Sequence, residues 1–198
     1  MFAVVAGLAL LTSCSRPPSQ AFSTAPDGGV GAVAITGAGF DVESAGDVSK
    51  DTSDATWAGV LATLNRYLEA AVLTPLRTGG PAGDLAPLFT SLAVDRVTTG
   101  PDRAALIDEG VPPATDIRAD ASVATLTALA GSDGTVSVVD ATLDLRLRGR
   151  SADGPLTVTR TGDIVLLPDG GTWRIDSYDI TASRTFGGAA TTTTTARS

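Results

Sequence analysis

Alternation of apolar and polar residues is the feature of this sequence that most restricts its fold. In residues 136–148, Val139, Ala141, Leu143, Leu145 and Leu147 alternate with Asp140, Thr142, Asp144, Arg146 and Arg148. A period of two is typical of a β-strand with one buried and one solvated face. The run therefore predicts a half-buried strand in an antiparallel sheet.

Three further runs have strand character: residues 123–129, 156–167 and 172–183. The turns that separate the four runs contain Ser132-Asp133-Gly134, Asp153-Gly154-Pro155 and Asp169-Gly170-Gly171. Short, glycine-containing connections join neighbouring antiparallel strands, so the sequence predicts a four-stranded meander. On its last strand we expect Trp173 and Ile175 on the buried face, and Asp176 and Tyr178 on the opposite, solvated face.

The residues before these strands have a helical period. Apolar side chains recur at steps of three and four at Trp57, Val60, Leu61, Leu64, Leu68, Ala71 and Val72. Ser53 or Asp54 can cap the start of this helix, and Pro75 is expected to stop it. Shorter helices are predicted from Asp84, with Leu85, Leu88, Phe89 and Leu92 on one side, and over residues 104–109. We therefore predict an α+β domain at residues 53–186, with N-terminal helices packed on a curved antiparallel sheet.

The flanking residues lack either period. Residues 14–52 are rich in Gly, Pro, Ser and acids, which predicts a flexible acidic tether. Residues 187–198, with five consecutive threonines, are predicted to form a disordered tail.

Residues 2–11 form an apolar run that is too short to cross a bilayer, which takes about 20 residues. The run is typical of a secretory signal peptide, here residues 1–13. Leu11-Thr12-Ser13-Cys14 resembles the lipobox of bacterial lipoproteins, although no basic residue precedes Arg16. The resemblance implies that Cys14, the sole cysteine, is acylated after cleavage. It also implies a lipid anchor in the cell membrane, with the chain on the extracytoplasmic face.

The charge balance excludes several function classes. The chain has 22 acids, 14 bases and no histidine, for a net charge of −8. A nucleic-acid partner is not expected, because such binding needs a basic surface. Without histidine and with one cysteine, imidazole catalysis and His- or Cys-based metal sites are excluded. We expect no cofactor and no metal.

Three arginines lie close together in the sequence, at Arg146, Arg148 and Arg150. Acidic residues surround them at Asp140, Asp144 and Asp153, which favours a surface of mixed charge over a phosphate site.

The order of elements, and residues 160–167 followed by Thr172-Trp173-Arg174-Ile175-Asp176, resemble the cone fold of the nuclear transport factor 2-like superfamily. The resemblance implies a concave sheet face that can hold a pocket. It leaves the activity open, since the superfamily contains isomerases, dehydratases, transport adaptors and inert envelope domains. A lipoprotein of this kind also resembles the accessory proteins of mammalian-cell-entry lipid transporters, which implies an envelope protein or transporter complex as a partner.

In such a pocket, the candidate polar residues are Tyr67, Arg160, Asp176 and Tyr178. A carboxylate base and a tyrosine donor, such as Asp176 with Tyr178 or Tyr67, would suit an isomerase or dehydratase. Because Asp176 is expected on the solvated face, we favour a non-catalytic domain that binds a partner or a small apolar ligand. A carboxylate-based isomerase or dehydratase and a structural spacer are the alternatives.

Overall fold

A computed structural model describes residues 33–187 and 192–198. The signal peptide, Cys14 and the first part of the expected tether lie outside the described residues. The described chain forms an α+β domain in which one long helix and several short ones pack on a six-stranded sheet. The predicted fold class is therefore confirmed at this level.

The strands follow one another across the sheet in sequence order. They are β1 (Thr36–Ser44), β2 (Ala114–Ala130), β3 (Val136–Ser151), β4 (Gly154–Asp169), β5 (Thr172–Phe186) and β6 (Thr192–Arg197). Strands β2 to β6 are antiparallel, whereas β1 pairs in parallel with β2. The predicted meander is confirmed, and so is the alternation on β3, where Leu143, Leu145 and Leu147 are buried and the residues between them are exposed.

Two strands lie where the sequence predicts flexible chain, so the expected tether and tail are wrong at these residues. Strand β1 is held by its pairing with β2 and by Trp57, whose ring packs so closely on Gly37 that a Cβ there would come within 1.9 Å of it. Strand β6 pairs with β5 and buries Ala196. The composition of both segments predicts disorder. It does not indicate that the edge of a neighbouring strand can supply their backbone with hydrogen-bond partners.

The long helix also differs from its prediction. Helix α1 (Lys50–Tyr67) begins at Ser49, whose hydroxyl accepts a hydrogen bond from the Thr52 amide, and not at Ser53 or Asp54. It continues through a π-helical turn (Leu68–Leu73) into α2 (Thr74–Thr78) and ends at Gly79, so Pro75 does not stop it. In the π-helical turn, the Thr74 amide donates to the carbonyl of Glu69, five residues earlier. The backbone hydrogen bonds therefore already span five residues instead of four when the chain reaches Pro75.

The remaining helices are short: a 3₁₀ turn (Ala86–Leu88), α3 (Val94–Thr98) and α4 (Arg103–Leu106). Leu85, Leu88 and Phe89 enter the core as expected. Leu92 does not, because it is 81% exposed in the turn before α3.

A β-bulge in β5 overturns the predicted orientation of Tyr178. Leu166 of β4 pairs with Ile175 and the preceding Val165 pairs with Ser177, so Asp176 is an extra residue without a cross-strand partner. The extra residue reverses the facing of every later side chain. Tyr178 therefore joins Ile175 on the buried face, and the expectation that it faces solvent is wrong.

Candidate functional site

Three of the four predicted pocket residues lie in the interior between the helices and the sheet. Tyr67 comes from α1, Arg160 from β4 and Tyr178 from β5, and all three are at most 3% exposed. The structure places the Arg160 guanidinium beside the Tyr67 hydroxyl. Asp176 lies apart from them in the β5 bulge, half-buried, where it accepts a hydrogen bond of 2.9 Å from the Thr90 hydroxyl.

Tyr67 and Arg160 belong to a buried group that we call the Asp108 cluster: Tyr67, Asp108, Arg160 and Arg184. Asp108 is fully buried and forms ion pairs with both arginines. Its Oδ2 lies 2.5 Å from Nη1 of Arg160. Its Oδ1 pairs with Nε of Arg184. The backbone of Asp108 is bound to the long helix. With Pro75 lacking an amide hydrogen, the carbonyl of Ala71 is available to accept a hydrogen bond of 2.9 Å from the Asp108 amide.

The same cluster caps the C-terminal end of α4. Arg184 donates to the carbonyls of Ala104 (2.9 Å) and Ile107 (2.8 Å), and Arg160 donates to that of Ala105 (3.2 Å). The Tyr67 hydroxyl donates to the carbonyl of Leu106 at 2.8 Å. The last carbonyls of a helix lack partners within it and carry partial negative charge. The two guanidinium groups and the phenol therefore fix α4 against the sheet.

The electrostatics of the cluster favour a charged Arg160 and a neutral Tyr67. Burial alone would lower the pKa of Arg160, but Asp108 and Tyr67 outweigh it and raise that pKa above its ordinary value. Burial raises the pKa of the Tyr67 hydroxyl. A buried ion pair is costly to break, because its remaining partner stays in a medium that solvates charge poorly.

Tyr178 belongs to a second polar group beside α3. Its hydroxyl donates to Asp102 at 2.8 Å, and Arg96 pairs with the same carboxylate at 2.7 Å. Burial and the hydrogen bond to Asp102 raise the pKa of Tyr178 to about 12. Both tyrosines thus remain protonated near neutral pH, and each donates a hydrogen bond to an acceptor within the protein.

A concave site lies on the surface next to α1, and we call it the Trp173 groove. It encloses about 600 Å³ between α1 and the turn that joins β4 to β5. Its lining residues are Asp51, Thr52, Ala55, Thr56, Gly59, Ala62, Thr63, Arg66, Gly171, Thr172 and Trp173. The half-buried Trp173 forms one wall and leans on Gly59, where a Cβ would come within 2.7 Å of the indole. Its carbonyl accepts a hydrogen bond of 2.8 Å from the Thr63 hydroxyl.

Sequence reasoning missed Asp108, Arg184 and Asp102. Asp108 and Asp102 lie in short connecting segments without a period, and no local pattern indicates which acids turn inward. Arg184 follows the β5 bulge, so its facing could be predicted only if the bulge were known. Helical spacing does place Gly59 on one side of α1 with Ala55 and Thr63, but nothing in the sequence shows that Trp173 covers it.

Within the described residues, no cluster of three or more His, Cys, Asp or Glu side chains is arranged to hold a metal ion. A search of the same residues for a helix of sufficient length and hydropathy to span a bilayer found none. Comparisons with protein-family models, with curated proteins and with solved structures gave no match. The function has to be inferred from the residues of this chain.

Proposed function

We propose that the chain is an exported lipoprotein of the bacterial envelope with a non-catalytic α+β domain that binds a partner or a small apolar ligand. Cys14 would carry the lipid that anchors it to the extracytoplasmic face of the cell membrane. The observation that carries the binding role is the Trp173 groove, where a half-buried indole borders a concave surface of Ala, Gly and Thr residues together with Asp51 and Arg66. Concave sites that combine an aromatic wall with polar groups able to orient a bound molecule are typical of ligand and peptide sites.

The interior supports binding rather than catalysis. An isomerase or dehydratase would need a carboxylate base and a tyrosine donor directed at a common cavity. Here Tyr67 and Tyr178 donate to Leu106 and Asp102, and Asp176 lies apart from both in the bulge with Thr90 as its partner. The polar groups of the interior hold the short helices on the sheet.

We also propose that the domain has the cone fold of the nuclear transport factor 2-like superfamily. The order of a long helix, short helices and an antiparallel meander supports this, as do the bulges in β2 and β5, since bulges bend strands. The resemblance of such a lipoprotein to the accessory proteins of mammalian-cell-entry lipid transporters supports an envelope protein or a transporter complex as the proposed partner.

The groove is tested with two glutamate substitutions on the same helix. Ala62→Glu places a carboxylate in the groove, whereas Ala58→Glu places one on an exposed part of α1 outside it. The probe is anilinonaphthalene sulfonate, whose fluorescence rises in apolar sites, titrated into the full chain. We expect Ala62→Glu to weaken probe binding about tenfold, a loss of about 1.4 kcal/mol, and Ala58→Glu to leave it unchanged. Equal binding by both variants and the unchanged chain would favour the structural spacer.

The lipid anchor is tested separately with Cys14→Ala, and Ser13→Ala as the matched neighbour. Both chains are expressed in a bacterium supplied with labelled palmitate, and incorporation of the label is measured by mass spectrometry of the purified protein. We expect label on the unchanged chain and on Ser13→Ala, and none on Cys14→Ala. Label on Cys14→Ala, or on none of the three, would contradict the anchor.

A further inference from the structure

A second concave site lies on β2 and β3. We call it the arginine cleft. It encloses about 410 Å³ and is lined by Asp116, Arg118, Asp120, Arg148, Gly149 and Arg150. It is separate from the Trp173 groove, since the two share no lining residue.

Irregular backbone forms one side of the cleft. The pairing of β2 with β3 shifts register between Thr115 and Arg118, and again between Ala119 and Ala121. Within the first irregularity, Asp116 has a φ of 54°, a left-handed conformation that costs free energy in a residue other than glycine. Of the non-glycine residues that the structure describes, Asp116 alone has a positive φ. Bulges and strained residues of this kind re-aim side chains and are enriched at binding sites.

The arrangement also places like charges together. Arg118 lies directly opposite Arg148 in the β2–β3 register, and like charges in opposite positions of a sheet destabilise it. Asp120 pairs with Arg148, but the side chains of Arg118 and Arg150 form no ion pair or hydrogen bond with any residue that the structure describes. Three arginines against two aspartates leave the cleft with a surplus of +1 in a chain of net charge −8.

From this juxtaposition we propose that the arginine cleft binds a phosphate group. Guanidinium groups match phosphate oxygens as pairs of parallel hydrogen bonds, and Arg118 and Arg150 have donors to offer. A bound phosphate would offset the surplus charge and relieve the repulsion between Arg118 and Arg148. Sequence alone favoured a mixed-sign surface for Arg146, Arg148 and Arg150, but it did not show that β2 contributes Arg118 at the bulge.

The phosphate could be a free anion or the headgroup of an anionic lipid, and two arms of one experiment distinguish them. In the first arm, sodium phosphate is titrated into the full chain by calorimetry at low salt, with sodium chloride of equal ionic strength as the reference. In the second arm, binding of the chain to phosphatidylglycerol vesicles is compared with binding to phosphatidylcholine vesicles. The difference between the two vesicles removes any contribution from the N-terminal anchor.

The test variant is Arg118→Gln with Arg150→Gln, and the control is Arg146→Gln, an exposed arginine on β3 outside the cleft. We expect the double variant to lose about tenfold or more in affinity in at least one arm, and the control to stay within about twofold. Because Arg118→Gln removes a repulsion, its thermal midpoint without phosphate should equal or exceed that of the unchanged chain. Equal binding by the double variant and the unchanged chain in both arms, or an equal loss in the control, would overturn the proposal.

Discussion

Asp108 offers the sharpest test of the structure, because its carboxylate is the shared partner of two buried arginines. Asp108→Asn keeps the size of the side chain but removes its charge. Arg160 and Arg184 would then remain in the interior, 0% and 9% exposed, without a counter-charge. Removing one partner of a buried ion pair costs about 3–5 kcal/mol. Since a domain of this size has a net stability of about 5–15 kcal/mol, the variant should be marginally folded.

The assay is urea unfolding of the full chain, followed by far-ultraviolet circular dichroism, with the free energy of unfolding extrapolated to zero denaturant. Asp179→Asn is the matched control, since Asp179 pairs with Arg197 in an exposed position. An exposed ion pair contributes at most about 1 kcal/mol. The expected order is therefore a large loss for Asp108→Asn and a small one for Asp179→Asn.

A second variant keeps the test informative if Asp108→Asn fails to fold. Asp108→Asn combined with Arg160→Met removes one of the uncompensated cations, so the double variant should be less destabilised than the sum of the two single changes. If Asp108→Asn and Asp179→Asn lose similar free energy, the Asp108 cluster does not hold α4 on the sheet and the assignment is refuted.

Three further outcomes follow from single features of the structure. Because the pKa of Tyr178 is raised to about 12 in the folded state, the folded chain binds more protons than the unfolded one above about pH 10, and stability should fall between about pH 10 and 12. Tyr178→Phe should flatten this loss in pH-dependent urea unfolding, and an unchanged slope would contradict it. Trp173→Ala, which removes a half-buried indole, should cost about 2 kcal/mol in the free energy of unfolding. Asp176→Ala, which removes one hydrogen bond from Thr90, should cost about 1 kcal/mol; the reverse order would contradict the packing of β5. Gly37→Val should lower the thermal midpoint by several degrees, since its Cβ would overlap the Trp57 ring, and no change would mean that β1 does not pack on that ring.

The sheet could be predicted because its strands carry a strong period. On β3, five apolar residues alternate without error over 139–147, and each of them is buried. The edge strands could not be predicted in this way. In β1, Phe40 and Val42 alternate with Asp41 and Glu43 over only four residues that follow two glycines, and β6 is mostly threonine, so neither has the long alternating apolar face of β3. Both are ordered by pairing with a neighbour, which is a tertiary effect.

Sequence analysis named Tyr67, Arg160 and Tyr178 but missed their partners and the facing of Tyr178, for a different physical reason: one added residue changes the facing of those that follow. In β5, the pattern of 172–183 gives the right face for Trp173 and Ile175 and the wrong one for Tyr178, because Asp176 is the extra residue between them. In the long helix, Pro75 has no amide hydrogen, which leaves the Ala71 carbonyl for the amide of Asp108.

These local features explain why the interior polar residues that sequence analysis assigned to a pocket bind partners within the protein. The bulge turns Tyr178 toward Asp102, and Asp108, whose amide bonds to the Ala71 carbonyl of the long helix, lies between Arg160 and Arg184. Ionised groups in a buried position need such fixed partners, because burial without them costs several kcal/mol per charge. A substrate that entered the interior would have to displace these partners. Recognition is therefore better sought on the surface, at the Trp173 groove, where a half-buried indole forms one wall, and at the arginine cleft, where the side chains of Arg118 and Arg150 are exposed.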